Sequence, residues 1–386
     1  MTTRRRHGRA LARLAVAAIG LGIAVGIGAC GGGGGGIEGG GSTEASTVEL
    51  ESKASGNLTI SNWPLYIDKQ TVPDFEKASG VSVEYVEDIN SNEEYFNKMQ
   101  PILAKGESGG RSIMVLADYE VAKMLELGYV QELDKSALPN VEKYLSKNLR
   151  HPAFDPERSF TAPWQSGMTG IIVNKELAPE VKSICDLFDP KYKGKVDFLN
   201  EVRETVPLVM KCEGVDPDNA TEADWMKAID KIKGAAQSGQ IRRFTGNDYA
   251  QDLTSGNAVA VIGWSGDAVQ LQADNPNLEW RMPTEGCMLW SENMFIPVGA
   301  PNPTAAEAFM NYVYDPKNQA QIAEYVNYVT PVEGVKEILQ KKDPELAEND
   351  LIFPSASFTK SCSLTPIIKG EEEQNIIQAF DAVVNE

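Results

Sequence analysis

The chain has 386 residues, 42 % hydrophobic and 24 % charged, with 36 basic against 55 acidic side chains, enough for two domains with their own cores. That acidity excludes a nucleic-acid surface, which needs basic charge to meet phosphates, and would steer cations inward. After the first thirty residues the only histidine is His151, and no Cys-x-x-Cys spacing occurs, so neither a histidine-based catalytic triad nor a zinc site is expected.

At the N-terminus, Arg4, Arg5, Arg6, Arg9 and Arg13 precede an apolar run from Leu14 to Ile27. The run is too short for a stable span and reads as a secretory signal. It ends Ile27-Gly28-Ala29-Cys30, which resembles a bacterial lipoprotein cleavage box. Glycines 31–36 and 39–41 follow, a composition that builds no core and behaves as a flexible tether. The expectation is a signal peptide over 1–29, a lipid anchor on Cys30 and a tether over 30–56. Two acyl chains would give the stable membrane hold that one cannot. Arg4-Arg5 lacks the apolar residue that follows a twin-arginine pair. Removing 1–29 leaves 31 basic and 55 acidic side chains, a net charge of −24.

Residues 57–130 alternate strand and helix. A strand begins over Leu58–Ser61, and Thr71 caps a helix with Pro73 in its first turn and Gly80 at its end. Val81, Val83 and Tyr85 alternate as a strand, and Ser91 with Glu94 forms a capping box. Ile113–Ala117 is a short apolar run suited to burial on both faces, and Asp118 opens the next helix, ended by Gly128. This order predicts an α/β fold with a largely parallel sheet.

A second α/β region follows. Strands are expected over 170–173, 195–199 and 258–263. Helices are expected over Val206–Cys212, with Pro207 in the first turn, from Thr221 with Asp224, and from Ala268. Beyond Asn302 the pattern is helical, and Ile376, Ile377, Phe380, Val383 and Val384 mark one face of the last helix. Cys185, Cys212, Cys287 and Cys362 allow three pairings. We favour Cys185–Cys212 with Cys287–Cys362.

In open α/β sheets ligands bind beyond the carboxyl ends of strands. The residues there are acids and aromatics: Trp63, Tyr66, Tyr119, Glu201, Glu204, Trp264, Asp267, Trp290 and Glu292. No glycine-rich phosphate cradle accompanies them. Carboxylates receive ammonium groups, and flat rings cover the methylenes between them. A linear polyamine fits that requirement.

The segments Ser61-Asn62-Trp63-Pro64-Leu65-Tyr66-Ile67, Val115-Leu116-Ala117-Asp118-Tyr119, residues 189–196 (DPKYKGKV), Glu201-Val202-Arg203-Glu204, Ile262-Gly263-Trp264-Ser265-Gly266-Asp267, residues 285–292 (EGCMLWSE) and Tyr328-Val329-Thr330-Pro331 occur in the order of a known family. From about Gly56 onward the chain resembles the bacterial periplasmic spermidine/putrescine-binding proteins. The resemblance implies a two-lobed type II periplasmic-binding-protein fold with two hinge crossings and a ligand cleft between the lobes. It also implies an ABC permease as partner, a polyamine ligand, no cofactor and no enzymatic activity.

The resemblance assigns roles residue by residue. Trp63, Tyr66 and Tyr119 would be walls of the first lobe, and Glu201 and Glu204 amine acceptors. Trp264 would be the central indole, Asp267 the acceptor at one end, Glu292 beside Trp290 the other acceptor, and Tyr328 a lobe-interface tyrosine. Pro64 and Leu65 replace a hydroxyl and an acid, Ala117 replaces a serine, and Glu201 and Glu292 stand where aspartate is usual. One end of the pocket is therefore less polar than in the family. Crossings are expected near 164–167 and 291–295, giving lobe 1 as 57–165 with 292–358 and lobe 2 as 166–291 with 359–386. Competing readings are a carrier for ferric iron, using Tyr119 and Tyr328, a carrier for an amino-acid-like cation, or a surface hydrolase using Glu201 and Glu292 as a carboxylate pair.

Overall fold

Leu58 and Ile60 alternate with more polar neighbours, and strand β1 (Asn57–Asn62) buries both, as a period of two requires. The computed structural model describes Ala54 and residues 56–386. The expected signal peptide, Cys30 and nearly all of the tether lie outside the described residues.

The elements after β1 are α1 (Thr71–Ser79), β2 (Ser82–Glu87), α2 (Asn92–Leu103), β3 (Ile113–Ala117), α3 (Asp118–Glu126), α4 (Pro139–Tyr144) and β4 (Thr161–Asn174). Next come β5 (Val196–Leu199), α5 (Val202–Cys212), α6 (Glu222–Gln237), β6 (Ile241–Thr245), α7 (Tyr249–Ser255), β7 (Ala260–Trp264), α8 (Ser265–Asp274), β8 (Leu278–Arg281) and β9 (Met288–Phe295). The chain continues through α9 (Pro303–Val313), α10 (Pro316–Val326), α11 (Val335–Lys342), α12 (Pro344–Ala347), β10 (Ser363–Leu364) and α13 (Gly370–Val384).

The strands join in the order β2-β1-β3-β9-β4-β7-β5-β6. Pairings among β1, β2 and β3 are parallel, as are those of β5 with β6 and β7. Pairings of β9 with β3 and of β4 with β7, β8 and β9 are antiparallel. The expected largely parallel sheet is therefore mixed. The reason is that β4 and β9 each run through both halves, in opposite directions. Their mutual register shifts between Pro163 and Ser166. Two α/β lobes result, one on β2-β1-β3 and one on β7-β5-β6, with β9 and β4 between them.

Several boundaries move. Helix α5 starts at Val202 rather than Val206, so Pro207 lies inside it. Charged Arg203 and Glu204 hide the start from an apolar-periodicity reading, yet both are buried. Helix α8 starts at Ser265 rather than Ala268. Thr71 is not the cap of α1. Asp68 Oδ1 instead accepts from the Gln70 and Thr71 amides at 2.8 and 3.1 Å. Ser91 does accept from the Glu94 amide, at 3.4 Å, and Thr221 with Asp224 forms a reciprocal box at α6. Strand β4 extends to fourteen residues, all but one of them buried, and β6 and α7 have no counterpart in the sequence reading.

The favoured disulfides are both present, Cys185–Cys212 and Cys287–Cys362. The second closes a loop of 75 residues and ties the chain before α13 to the start of β9. Such a link removes entropy from the unfolded chain, a stabilisation of about 2–4 kcal/mol. A Cys287→Ser/Cys362→Ser double variant should lose that amount in denaturant unfolding, and reductant should then lower its midpoint less than that of the parent.

Candidate ligand-binding site

Most site residues are placed by the end of a regular element, but Trp290 and Glu292, expected just after a strand, lie inside β9 (Met288–Phe295). Trp63 and Tyr66 follow β1, Trp264 ends β7, and Asp267 stands in the first turn of α8. Trp290 and Glu292 lie two apart on β9 and so share a face. Glu204 is in the first turn of α5. Tyr328 follows Asn327, whose left-handed backbone (φ 59°) ends α10.

These eight side chains meet. Together with Pro64, Leu65, Asn92 and Asn247 they line one cavity. No lysine, arginine or histidine is among the lining residues. The rings pack edge to face: Trp63 on Trp264 at 6.0 Å between centroids and Tyr66 on Tyr328 at 5.1 Å. Trp290 lies tilted over Tyr328 at 5.5 Å.

The aromatic residues also hold the acids. Trp63 Nε1 donates to Glu292 Oε2 at 3.1 Å, and Trp264 Nε1 donates to Glu204 Oε2 at 2.7 Å. Trp290 Nε1 donates to Thr169 Oγ1 at 3.0 Å, and that hydroxyl donates to Glu204. Asp267 accepts from the hydroxyls of Tyr249 and Tyr328, each at 2.5 Å, and from Asn247 Nδ2 at 3.2 Å. Two buried polar atoms on lining residues have no partner, Tyr66 Oη and Asn247 Oδ1.

Neutral donors orient these carboxylates without cancelling their charge. Burial pushes the Glu204 carboxyl up to about 7, against the Thr169 and Trp264 hydrogen bonds. Burial raises Glu292 well above the usual carboxylate range, with Glu204 and Asp118 adding to it and Trp63 opposing. Asp267 is raised by desolvation, moderated by Tyr249, Tyr328 and Asn247. Desolvated acids without a counter-cation favour protonation, or a positive guest.

Tyr119 and Glu201 were expected in the pocket and do not line it. They bond each other instead, Tyr119 Oη to Glu201 Oε2 at 2.8 Å, and Glu201 Oε1 accepts from the Asn92 amide at 3.0 Å. The turn of α5 separates residues 201 and 204, so one acid faces the cavity and the other faces α2. Two lining residues escaped the sequence reading, Asn92 and Asn247. Asn247 follows β6, and recognising that strand would have exposed it as a strand-end residue. Asn92 is the first residue of α2, next to the Ser91 cap already identified.

Neither the ferric-iron reading nor the hydrolase reading finds a matching arrangement. Tyr328 lines the cavity and Tyr119 does not. Glu292 lines it and Glu201 does not. Among the described residues no group of three or more acids, histidines or cysteines is placed to hold a metal ion. His151 is exposed, with Nδ1 2.8 Å from the Pro156 carbonyl oxygen, and does not line the cavity.

Residues 70–353 match the bacterial extracellular solute-binding protein family, and the chain belongs to it. Its class is therefore a solute-binding protein and not an enzyme. The putrescine-binding periplasmic protein PotF of Escherichia coli (strain K12) is 30 % identical over 336 residues, covering 82 % of this chain and 87 % of that protein. The spermidine/putrescine-binding periplasmic protein of the same organism is 27 % identical, covering 86 % and 90 %. Among solved structures, the spermidine/putrescine ABC transporter substrate-binding protein PotD of Streptococcus pneumoniae superposes with a TM-score of 0.69 at 26 % identity, over 85 % of this chain and 98 % of that one. The fold is the two-lobed type of periplasmic binding proteins. Among the described residues no helix is long and apolar enough to cross a membrane.

The raised carboxyls set a pH dependence. Glu204 has an ordinary value of 4.5 and a folded value of about 7, so across that window the folded chain holds a proton that the unfolded chain has released. Stability without ligand should thus fall as pH rises through this window, by about 1–3 kcal/mol from this residue. Urea unfolding at about pH 5 and about pH 8 would measure the fall, and Glu204→Gln should flatten it.

Proposed function

We propose that the chain is the extracytoplasmic polyamine-binding component of an ABC importer, taking putrescine or spermidine into the cavity between its lobes. The observation that carries this is the cavity lining: Glu204, Asp267 and Glu292 among aromatic rings, with no basic side chain. A slender guest with an ammonium at each end supplies the missing positive charge, and its methylenes lie against the indoles. An ammonium–carboxylate hydrogen bond contributes about 1.5–3 kcal/mol and an ammonium over an aromatic face about 0.5–2 kcal/mol. Two such ends, with the buried methylenes between them, bring the roughly −8 kcal/mol of a micromolar complex within range. The names of the relatives, putrescine- and spermidine/putrescine-binding proteins, support the same ligand class.

In this reading residues 57–165 with 292–358 form one lobe and 166–291 with 359–386 the other. The hinge lies where β4 and β9 pass between them, at the register shift between Pro163 and Ser166. Closure about such a hinge buries the guest and presents a changed surface to the permease. Lipid on Cys30, followed by the glycine-rich tether, would keep the lobes at the outer face of the cytoplasmic membrane. Pro64 and Leu65 line the cavity and make one end less polar, which favours a short diamine there.

Putrescine at a hundredfold excess over its Kd should stabilise the protein by about 2.7 kcal/mol, seen as a raised Tm. 1,4-Butanediol, of equal length and no charge, should give no shift. Asp267→Ala should weaken putrescine about 10- to 100-fold with the far-UV spectrum unchanged. If no polyamine moves the Tm of the wild type, this reading is wrong.

A further inference from the structure

Helix α5 carries two charged residues that the cavity does not use. Glu204 faces the cavity, but Glu201, at the N-cap, and Arg203, in the first turn, reach the N-terminus of α2. Glu201 and Arg203 are both 0 % exposed. Glu201 accepts the Asn92 amide at 3.0 Å, a contact between residues 109 positions apart. That amide belongs to the first turn of a helix, where N–H groups have no acceptor of their own and the helix dipole favours a carboxylate.

Arg203 makes the second tie. Its Nη1 donates to Glu93 Oε1 on α2 at 2.7 Å, and its guanidinium carbon lies 4.6 Å from the centroid of the Tyr119 ring. Its Nη2 donates to Glu373 on α13. A nearby contact follows the same seam: a Cβ added at Gly246 would stand 2.5 Å from the Asn90 carbonyl oxygen. The two backbones meet there with no room for a side chain.

We infer that Glu201 and Arg203 are closure residues that fasten α5 of one lobe to α2 of the other and set how long a captured solute stays, without touching it. This rests on the lobe division and hinge closure proposed above. Glu93, Asn92 and Tyr119 belong to the first lobe, whereas Glu201, Arg203 and Glu373 belong to the second. When the lobes part, Glu201 loses its donors to water and Arg203 loses Glu93. Glu373 stays with Arg203, so no guanidinium is left buried and unpaired, the costly outcome for a broken ion pair. The clasp is therefore reversible. Asn92 links it to the guest, since it lines the cavity and its Nδ2 also donates to Tyr119 Oη at 2.9 Å.

The test combines small-angle X-ray scattering without amine and stopped-flow fluorescence with putrescine, on wild type, Glu93→Gln, Glu201→Ala and Gly246→Ala. Without amine, the radius of gyration should rise in all three variants. With putrescine, Glu93→Gln and Glu201→Ala should release it about 10- to 100-fold faster, while association changes by less than about threefold. Unchanged scattering and release would overturn the inference. So would a lowered Tm with no split between the two rates, or a Glu201→Ala variant with an altered preference between putrescine and spermidine, since that residue would then be an amine acceptor. A wild type that ignores every amine yet expands on Glu201→Ala would uphold the clasp and reject the polyamine reading. A wild type that binds putrescine, with clasp variants indistinguishable from it, would do the reverse.

Discussion

Negative charge held away from water without a positive partner is the constraint around which this molecule is organised. Glu204 and Glu292 are buried, Asp267 is partly buried, and no basic side chain lines their cavity. Several other buried charges are paired: Asp197 and Asp252 with Arg242, and Glu93 and Glu373 with Arg203. In the cavity the compensation comes from neutral donors alone: indoles, phenols, the Thr169 hydroxyl and the Asn247 amide. Such donors fix each carboxylate in place and leave its charge for a guest.

This explains why the aromatic residues are where they are. An indole N–H has one hydrogen to give and a broad apolar face. Trp63 and Trp264 each spend the hydrogen on an acid and turn the rest of the ring to the cavity wall. Anchor and wall are thus one residue. The same economy holds for Tyr328, which donates to Asp267 and packs on both Tyr66 and Trp290.

Much of this was legible in the sequence because the cavity is built at strand ends, where short apolar runs give the position away. Trp63, just after β1, and Trp264 and Asp267, at and just after the end of β7, are examples. What was not legible has physical reasons. Glu201 and Glu204 look alike in sequence, and only the start of α5 at Val202 decides that they point to different places. That start was obscured because the helix buries Arg203, a charge no hydrophobic pattern detects. Strand β6 escaped because Arg242 and Arg243 occupy its centre, where they pair with Asp197, Asp248 and Asp252, and Asn247 was lost with it. The mixed direction of the sheet depends on β4 and β9 pairing across 125 residues, as between Ser166 and Ser291, a relation that no local pattern carries.

The segment from β10 to α13 has a bearing on how the molecule is assembled. Cys362 completes a disulfide with Cys287, Glu373 supplies a partner for Arg203, and Phe380 packs on Phe244. Until residues 362–380 arrive, the lobe carrying Glu204 and Asp267 has an unmatched thiol, a cation with no carboxylate of its own lobe, and an uncovered ring on β6. The packing and pairing around α5 and β6 are thus completed by the segment most distant in sequence from the first strand.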